Sequence, residues 1–246
     1  MDDKKRAARY WLAFLILAVL LVILFIWNVN AGSIHLSVSE IMNIIFKRQG
    51  DTTSYNIIWE IRLPRILAVI ILGGALSVSG FLLQTFFNNP IAGPFVLGIS
   101  SGAKLVVALL MIFFLSRSIS MGSAAMIIAA FIGSMISMGF VLLVAKKVHN
   151  MSMLVISGVM IGYICSAVTD FVVTFADDSN IVNLHNWSLG SFSGMSWGNV
   201  QVMTAVVLIT MVIVFFMSKP IGAYQLGEVY AQNMGVNIKL FRIALI

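Results

Sequence analysis

Six apolar runs, each near the roughly 20 residues that a bilayer-spanning helix needs, constrain this chain more than any other feature. They cover 11–29, 66–87, 95–115, 122–145, 153–175 and 199–217, and a seventh begins near 238 and is cut at Ile246. A chain with 60% hydrophobic and 10% charged residues falls far below the roughly 25% charge of soluble domains. No aqueous core could hide that surface, so the solvent is lipid. The expected fold class is all-α: a polytopic membrane helix bundle of about six complete spans plus the start of a seventh. The cut seventh run predicts one transmembrane domain over 1–246 that is part of a longer protein.

The first run is longer than a signal-peptide core and lacks an A-x-A-like cleavage site, so Trp11–Val29 reads as a retained anchor. The lone Cys165 lies mid-span and excludes an intrachain disulfide; a packing role suits it better than a reactive one, since apolar burial raises a thiol pKa. The net charge of +6 is a topology signal, not a sign of nucleic-acid binding. Lys4, Lys5, Arg6 and Arg9 precede the first span and place the N-terminus in the cytoplasm. Alternation then gives nine Lys and Arg inside and five outside (Lys47, Arg48, Arg62, Arg65 and Arg117), with Lys104 within a span. Trp11, Trp27, Trp59, Trp187 and Trp197 all fall at predicted span ends, where amphipathic rings prefer to sit.

Outside the spans, Ser37 to Arg48 places Val38, Ile41, Met42, Ile45 and Phe46 at helical spacing. Ser37 or Ser39 can cap it, and Glu40 completes a capping-box pattern with Ser37. An outer amphipathic helix over 37–48 is expected. Small residues recur four apart at Gly73/Ser77, Gly98/Gly102, Gly133/Ser137 and Gly158/Gly162, a spacing that lets membrane helices approach closely.

Arg62 and Arg65 share a helix face. Pro64 between them suits a first helical turn, where its missing N–H costs nothing. These arginines fit either interfacial snorkelling or an electropositive patch for a partner's carboxylates, with Glu60 a nearby competitor. Asn88-Asn89-Pro90 ends the second span and, with Pro94, prevents a continuous helix. Irregular backbone at membrane depth is tolerated only against protein or water; a plain cytoplasmic turn is the other reading. Gln84 and Asp170 are pathway-lining candidates, because polar groups within spans are costly. Asp170 also suits a position facing water near the outer end of its span. Leu226, Val229, Tyr230 and Met234 form an apolar face on the inner side, with Gly235 placed as a helix C-cap. Membrane surface, self-packing or a partner could cover it.

Three segments, in order, resemble the FecCD family, the permease subunits of ABC importers for iron-siderophores, haem and cobalamin. The first runs from Arg62-Leu63-Pro64-Arg65 through Asn88-Asn89-Pro90-Ile91-Ala92-Gly93-Pro94 to Gly98-Ile99-Ser100-Ser101-Gly102-Ala103. The second is Asn186–Trp197, similar to a W-x-x-G-S-x-x-x-x-x-W segment; the third is Leu226–Asn237, similar to L-G-E-x-x-A-x-x-x-G. Lys104 departs from the small or apolar residues usual at that place.

The resemblance implies about ten spans in a full-length member and a role for each segment. Arg62 and Arg65 would dock the extracytoplasmic substrate-binding protein. Asn88, Asn89 and Pro90 would form the cytoplasmic gate with His149 and Asn150. Residues 186–197 would form a short outer helix. Residues 226–237, through Leu226, Gly227, Glu228, Ala231 and Gly235, would form the cytoplasmic coupling segment that docks on the ATPase subunit. A homodimer or a heterodimer with a related permease would enclose the pathway in a bacterial cytoplasmic membrane.

No G-x-x-x-x-G-K-[ST] sequence is present, because Gly98–Lys104 has the wrong spacing and Leu105 follows the lysine. The chain is therefore not expected to be an enzyme or to hold a cofactor; ATP would be bound by the partner ATPase. His35, His149 and His185 are dispersed and predict no metal site. Iron would travel inside its chelate. An ion-coupled secondary transporter also uses broken helices, but Asp170 is the one acid within a span. An intramembrane enzyme would need a convergent catalytic set, and none emerges.

Overall fold

The structure, a computed structural model, describes residues 2–31, 37–47, 52–95, 97–115, 123–145 and 151–245. Its described residues form helices and connecting turns. In order these are α1 (Asp2–Asn30), α2 (Val38–Met42) with a π-turn at Asn43–Lys47, and α3 (Thr52–Asn56) with a π-turn at Ile57–Arg62. Then come α4 (Leu63–Phe87), α5 (Ile99–Leu115), α6 (Ser123–Ala145), α7 (Met151–Val173) and α8 (Asp178–Leu189). The last four are α9 (Trp197–Phe216), α10 (Ser218–Gln225), α11 (Glu228–Asn233) and α12 (Ile238–Leu245).

Among the described residues, five segments are long and apolar enough to cross a membrane: Lys4–Asn30, Thr52–Phe87, Ala124–Val144, Met153–Val173 and Trp197–Phe216. The 17-residue α5 is a shorter apolar helix. It starts at Ile99, not near 95, because the backbone turns first: Leu97 N–H donates to Gly93 O and Gly98 N–H to Phe95 O.

Two compact units share the chain. The first comprises residues 1–74 and 192–210. Its core gathers Val29, Ile41, Ile44, Ile58, Leu63 and Ile66, with Trp59 and Trp197 packed beside them. Ser37 is the cap of α2, and both halves of the Ser37/Glu40 capping box are formed. The Ser37 backbone N–H bound to the Glu40 carboxylate holds its pKa below the ordinary value. Burial falls on a different helical face from the one the apolar residues suggest. Ile41 and Ile44 are buried and Ile45 is half-buried, whereas Met42 and Phe46 are exposed, so the inward face is rotated from the one marked by Val38, Ile41, Met42, Ile45 and Phe46 toward Ile44.

Pro64 lies in the first turn of α4, as its position suggests, but α4 continues without a break from the π-turn and α3 before it. Leu63 N–H bonds to Ile58 O, an i to i−5 register. The next donor in that register would be residue 64, which has no N–H, and its acceptor would be Trp59 O. That carbonyl accepts the Trp197 indole N–H at 2.8 Å. Trp197 thus supplies, from 138 residues away, the donor that proline lacks. Trp197→Phe is expected to lower thermal stability by about 1–2 kcal/mol. In a Pro64→Ala background, which restores an N–H, the same change is expected to cost under about 0.5 kcal/mol; a thermal-unfolding double-mutant cycle measures the difference.

The second unit comprises residues 75–191 and 211–246. Here α5, α6 and α7 are interlocked through glycine. A Cβ on Gly98 would lie 2.7 Å from Gly158 O and from Gly162 N, and one on Gly133 would lie 2.3 Å from Gly102 O. Ser137 is buried and its hydroxyl donates to Gly98 O at 3.0 Å. The Gly73/Ser77 pair differs, since a Cβ at Gly73 would meet nothing within 4 Å. Helix α8 lays Leu184 and Trp187 against Val107, Ala108 and Met111.

The helix expected over 186–197 lies earlier, at 178–189. Gly190 (φ 74) and Gly194 (φ 78) adopt the left-handed conformation, which ends α8 and keeps the backbone irregular until Trp197.

Candidate functional site

Three groups of polar and apolar side chains are placed by these elements. In the first unit, Arg62 is half-buried and its guanidinium donates to Val29 O. Val29 lies in the last turn of α1, where carbonyls lack intrahelical donors and the helix dipole favours a cation. Arg62 therefore caps α1. Arg65 is exposed and its Nε donates to Phe192 O at 3.3 Å, which ties α4 to the 190–196 segment.

The α4–α5 turn is built by its own sequence. Asn88 has φ 45, the left-handed conformation that asparagine tolerates after a helix. Asn88 N–H bonds to Thr85 O and Asn89 N–H to Gln84 O, the paired bonds of a Schellman ending. Asn89 Oδ1 then accepts Ile91 N–H at 2.9 Å. Gln84 Nε2 donates to Pro90 O at 3.1 Å. Gln84 thus stitches the turn across six residues. Thr85 Oγ1 accepts from Gln225 Nε2 at 3.1 Å, so the turn is tied to α10.

The third group joins α10, α11 and α12. Gly227 (φ 118) separates α10 from α11 in a conformation that L side chains rarely adopt. Gly235 (φ 84) closes α11: its N–H bonds to Gln232 O and the Val236 N–H bonds to Ala231 O. Ala231 is fully buried, and Leu226, Val229 and Met234 are 69%, 73% and 65% exposed. Glu228 Oε1 accepts the Tyr224 hydroxyl at 2.9 Å and is ion-paired with Arg242 Nη2. Burial pushes the Tyr224 phenol above its ordinary pKa, so it remains a donor at neutral pH.

The structure thus brings Gln84, Asn88, Asn89 and Pro90 into one turn, and Leu226, Gly227, Glu228, Ala231 and Gly235 into one short helical segment. Asp170 is separate from both; it is exposed on α7, and its backbone carbonyl accepts the Thr174 hydroxyl. His149 and Asn150 lie outside the described residues. Thr85, Tyr224, Gln225 and Arg242 are absent from the sequence reading of these sites. Tyr224 and Glu228 are four apart, the one local signal that could have paired them.

The model of the FecCD transport family matches residues 20–246. The chain belongs to the FecCD family. This FecCD chain is 31% identical over 243 residues to the hemin transport system permease protein HmuU of Yersinia pestis, covering 97% of this chain and 70% of that one. It is 36% identical over 189 residues to the vitamin B12 import system permease protein BtuC of Klebsiella pneumoniae, covering 77% and 56% respectively. The FecCD chain therefore spans between about half and 70% of the length of these relatives. Its fold matches a solved structure described as an inward-facing ABC transporter of the metal-chelate type, with TM-score 0.76 and 24% identity over 93% of this chain and 70% of that one. The relatives are named as transport permeases.

Proposed function

We propose that this chain is part of the transmembrane permease of a binding-protein-dependent ABC importer that carries an iron-siderophore or a similar metal chelate, such as haem or cobalamin. The family match over residues 20–246 carries this reading, and relatives named for hemin and vitamin B12 support a bulky chelate as cargo. Two copies, or this chain and a related permease, enclose the pathway. The N-terminus is cytoplasmic, in the cytoplasmic membrane of a bacterium. ATP is bound and hydrolysed by a separate subunit.

Within this scheme the exposed face of Leu226, Val229 and Met234 docks on the ATPase, with Gly227 and Gly235 fixing the ends of α11. The turn at Asn88, Asn89 and Pro90 is the cytoplasmic gate, with His149 and Asn150 as its counterpart. Gln84 holds that turn through Pro90 O. Asp170, exposed on α7, lines the pathway.

Arg65 carries most of the binding-protein contact, since Arg62 is engaged with Val29 O. Arg65→Glu is expected to weaken binding-protein affinity about tenfold, a change of roughly 1.4 kcal/mol, with little loss of thermal stability. Arg62→Gln is expected to cost about 1–2 kcal/mol of stability through the lost charge-assisted hydrogen bond. Surface plasmon resonance and thermal unfolding of both variants check this split.

The decisive test is reconstitution. The complete importer in proteoliposomes, offered haemin, cyanocobalamin or a ferric hydroxamate with its binding protein, is expected to take up one of them. Uptake should require ATP and stop with vanadate. Flux without ATPase or binding protein overturns the reading.

A further inference from the structure

We infer that Arg242 and Tyr224 are positioning residues that clasp Glu228 and make α10, α11 and α12 transmit ATPase movement as one block. The inference rests on the importer reading above. It concerns residues other than the exposed docking face.

The clasp converges on a single oxygen. Glu228 is the first residue of α11, and its Oε1 takes both the Tyr224 hydroxyl from α10 and Arg242 Nη2 from α12. The three residues lie in three separate helices, although Tyr224 and Glu228 are only four apart in sequence. Gly227, with φ 118, lies between α10 and α11, so the backbone at this joint is intrinsically permissive. A hinge of this kind would let α11 swing when pushed. The shared carboxylate closes the joint by side chains instead. Its partners are held in turn: Tyr224 is buried and its ring packs on Phe241 at a centroid distance of 5.1 Å. Phe241 is itself buried in the cluster that includes Phe86, Phe87 and Ala231.

The block also has an output. Gln225, next to Tyr224, donates to Thr85 Oγ1, within the helix ending that fixes Asn88 and Asn89. The contact path therefore runs from α11 through Glu228 and Tyr224 to Gln225, Thr85 and the α4–α5 turn. A second branch runs through Arg242 into α12. Coupling needs an element that moves as a unit, and a loose Gly227 joint would dissipate motion applied at the docking face.

The test uses the reconstituted importer and the purified permease in parallel. In the importer, Arg242→Gln and Tyr224→Phe are expected to leave ATPase affinity unchanged. Both should lower the cargo moved per ATP hydrolysed, about tenfold for Arg242→Gln and about threefold for Tyr224→Phe. Arg242→Lys should recover part of the loss, and the exchange Glu228→Arg/Arg242→Glu should recover at least half. In the permease alone, Glu228→Gln, Arg242→Gln and the double variant should lower the unfolding temperature by similar amounts, because all three break the same pair.

If the single effects on unfolding temperature simply add, no clasp exists. If Glu228→Gln weakens ATPase binding and the exchange rescues nothing, Glu228 pairs with the ATPase and the inference is overturned. An intact clasp in an importer without ATP-driven uptake would instead remove the importer reading and, with it, the transmission role. Unchanged cargo per ATP in Arg242→Gln also overturns it.

Discussion

Gly98→Ala, the addition of one methyl group, is expected to destabilise the α5–α7 layer by about 3 kcal/mol or more. Three costs coincide at this position. Gly98 has φ 72, where an L side chain costs roughly 1–2 kcal/mol. The new Cβ would lie 2.7 Å from Gly158 O and from Gly162 N. Both are backbone atoms of α7, so no rotamer change relieves the clash and the helices must separate. Overpacking of this kind typically costs about 1–3 kcal/mol. Separation would also strain the buried bond from the Ser137 hydroxyl to Gly98 O, worth about 1 kcal/mol. Gly73→Ala is the matched control: a Cβ there meets nothing within 4 Å, and alanine favours a helix interior by up to about 1 kcal/mol. Unfolding of purified protein by heat or by denaturing detergent should place Gly98→Ala well below wild type and Gly73→Ala at or above it. Equal stability of the two variants would falsify the interlock.

The contrast between these glycines marks how far the sequence could be read. Helix positions were legible because lipid imposes a length and an apolarity that few other constraints override. The expected 122–145 and 199–217 became Ser123–Ala145 and Trp197–Phe216. Four-residue spacing proposed four close approaches, and three involve packed glycines while Gly73 faces open space. Spacing gives the periodicity of a face but not which helix, if any, covers it. Pro64 illustrates a second limit. A helix start was the economical reading of a missing N–H, and the actual solution recruits the Trp197 indole. Nothing local to Pro64 encodes a donor so far along the chain.

The same holds at α11. The L-G-E-x-x-A-x-x-x-G pattern located the segment, and Gly235 read correctly as a cap. Arg242 was invisible as a partner of Glu228 because the pairing depends on how α12 returns against α10. Residues 186–197 misled in the other direction. The resemblance to a W-x-x-G-S-x-x-x-x-x-W segment implied one short helix, but Gly190 and Gly194 break it, so that Trp187 and Trp197 serve separate cores.

On the importer reading, Leu226→Asp/Val229→Asp is expected to weaken assembly with the ATPase at least about a hundredfold and to lower ATP-driven uptake accordingly, while leaving the permease folded. Leu226 and Val229 expose 69% and 73% of their surface, so neither supports the core and surface substitution there costs the fold within about 0.5 kcal/mol. Buried against a partner, each aliphatic side chain contributes about 1.5–3 kcal/mol. Replacing two of them therefore removes about 3–6 kcal/mol before any charge is counted. Each 1.4 kcal/mol is about tenfold in affinity, so assembly should weaken by at least about a hundredfold. Desolvating two unpaired carboxylates adds to that loss. Ala231→Leu provides the opposite control. Ala231 is fully buried beside Phe241 and Tyr224, so enlargement there should lower the unfolding temperature first and ATPase binding only as a consequence. Co-purification with the tagged ATPase and the unfolding temperature, measured on the same preparations, separate the two. A Leu226→Asp/Val229→Asp permease that still co-purifies at wild-type yield would show that α11 presents its apolar face to something other than the ATPase.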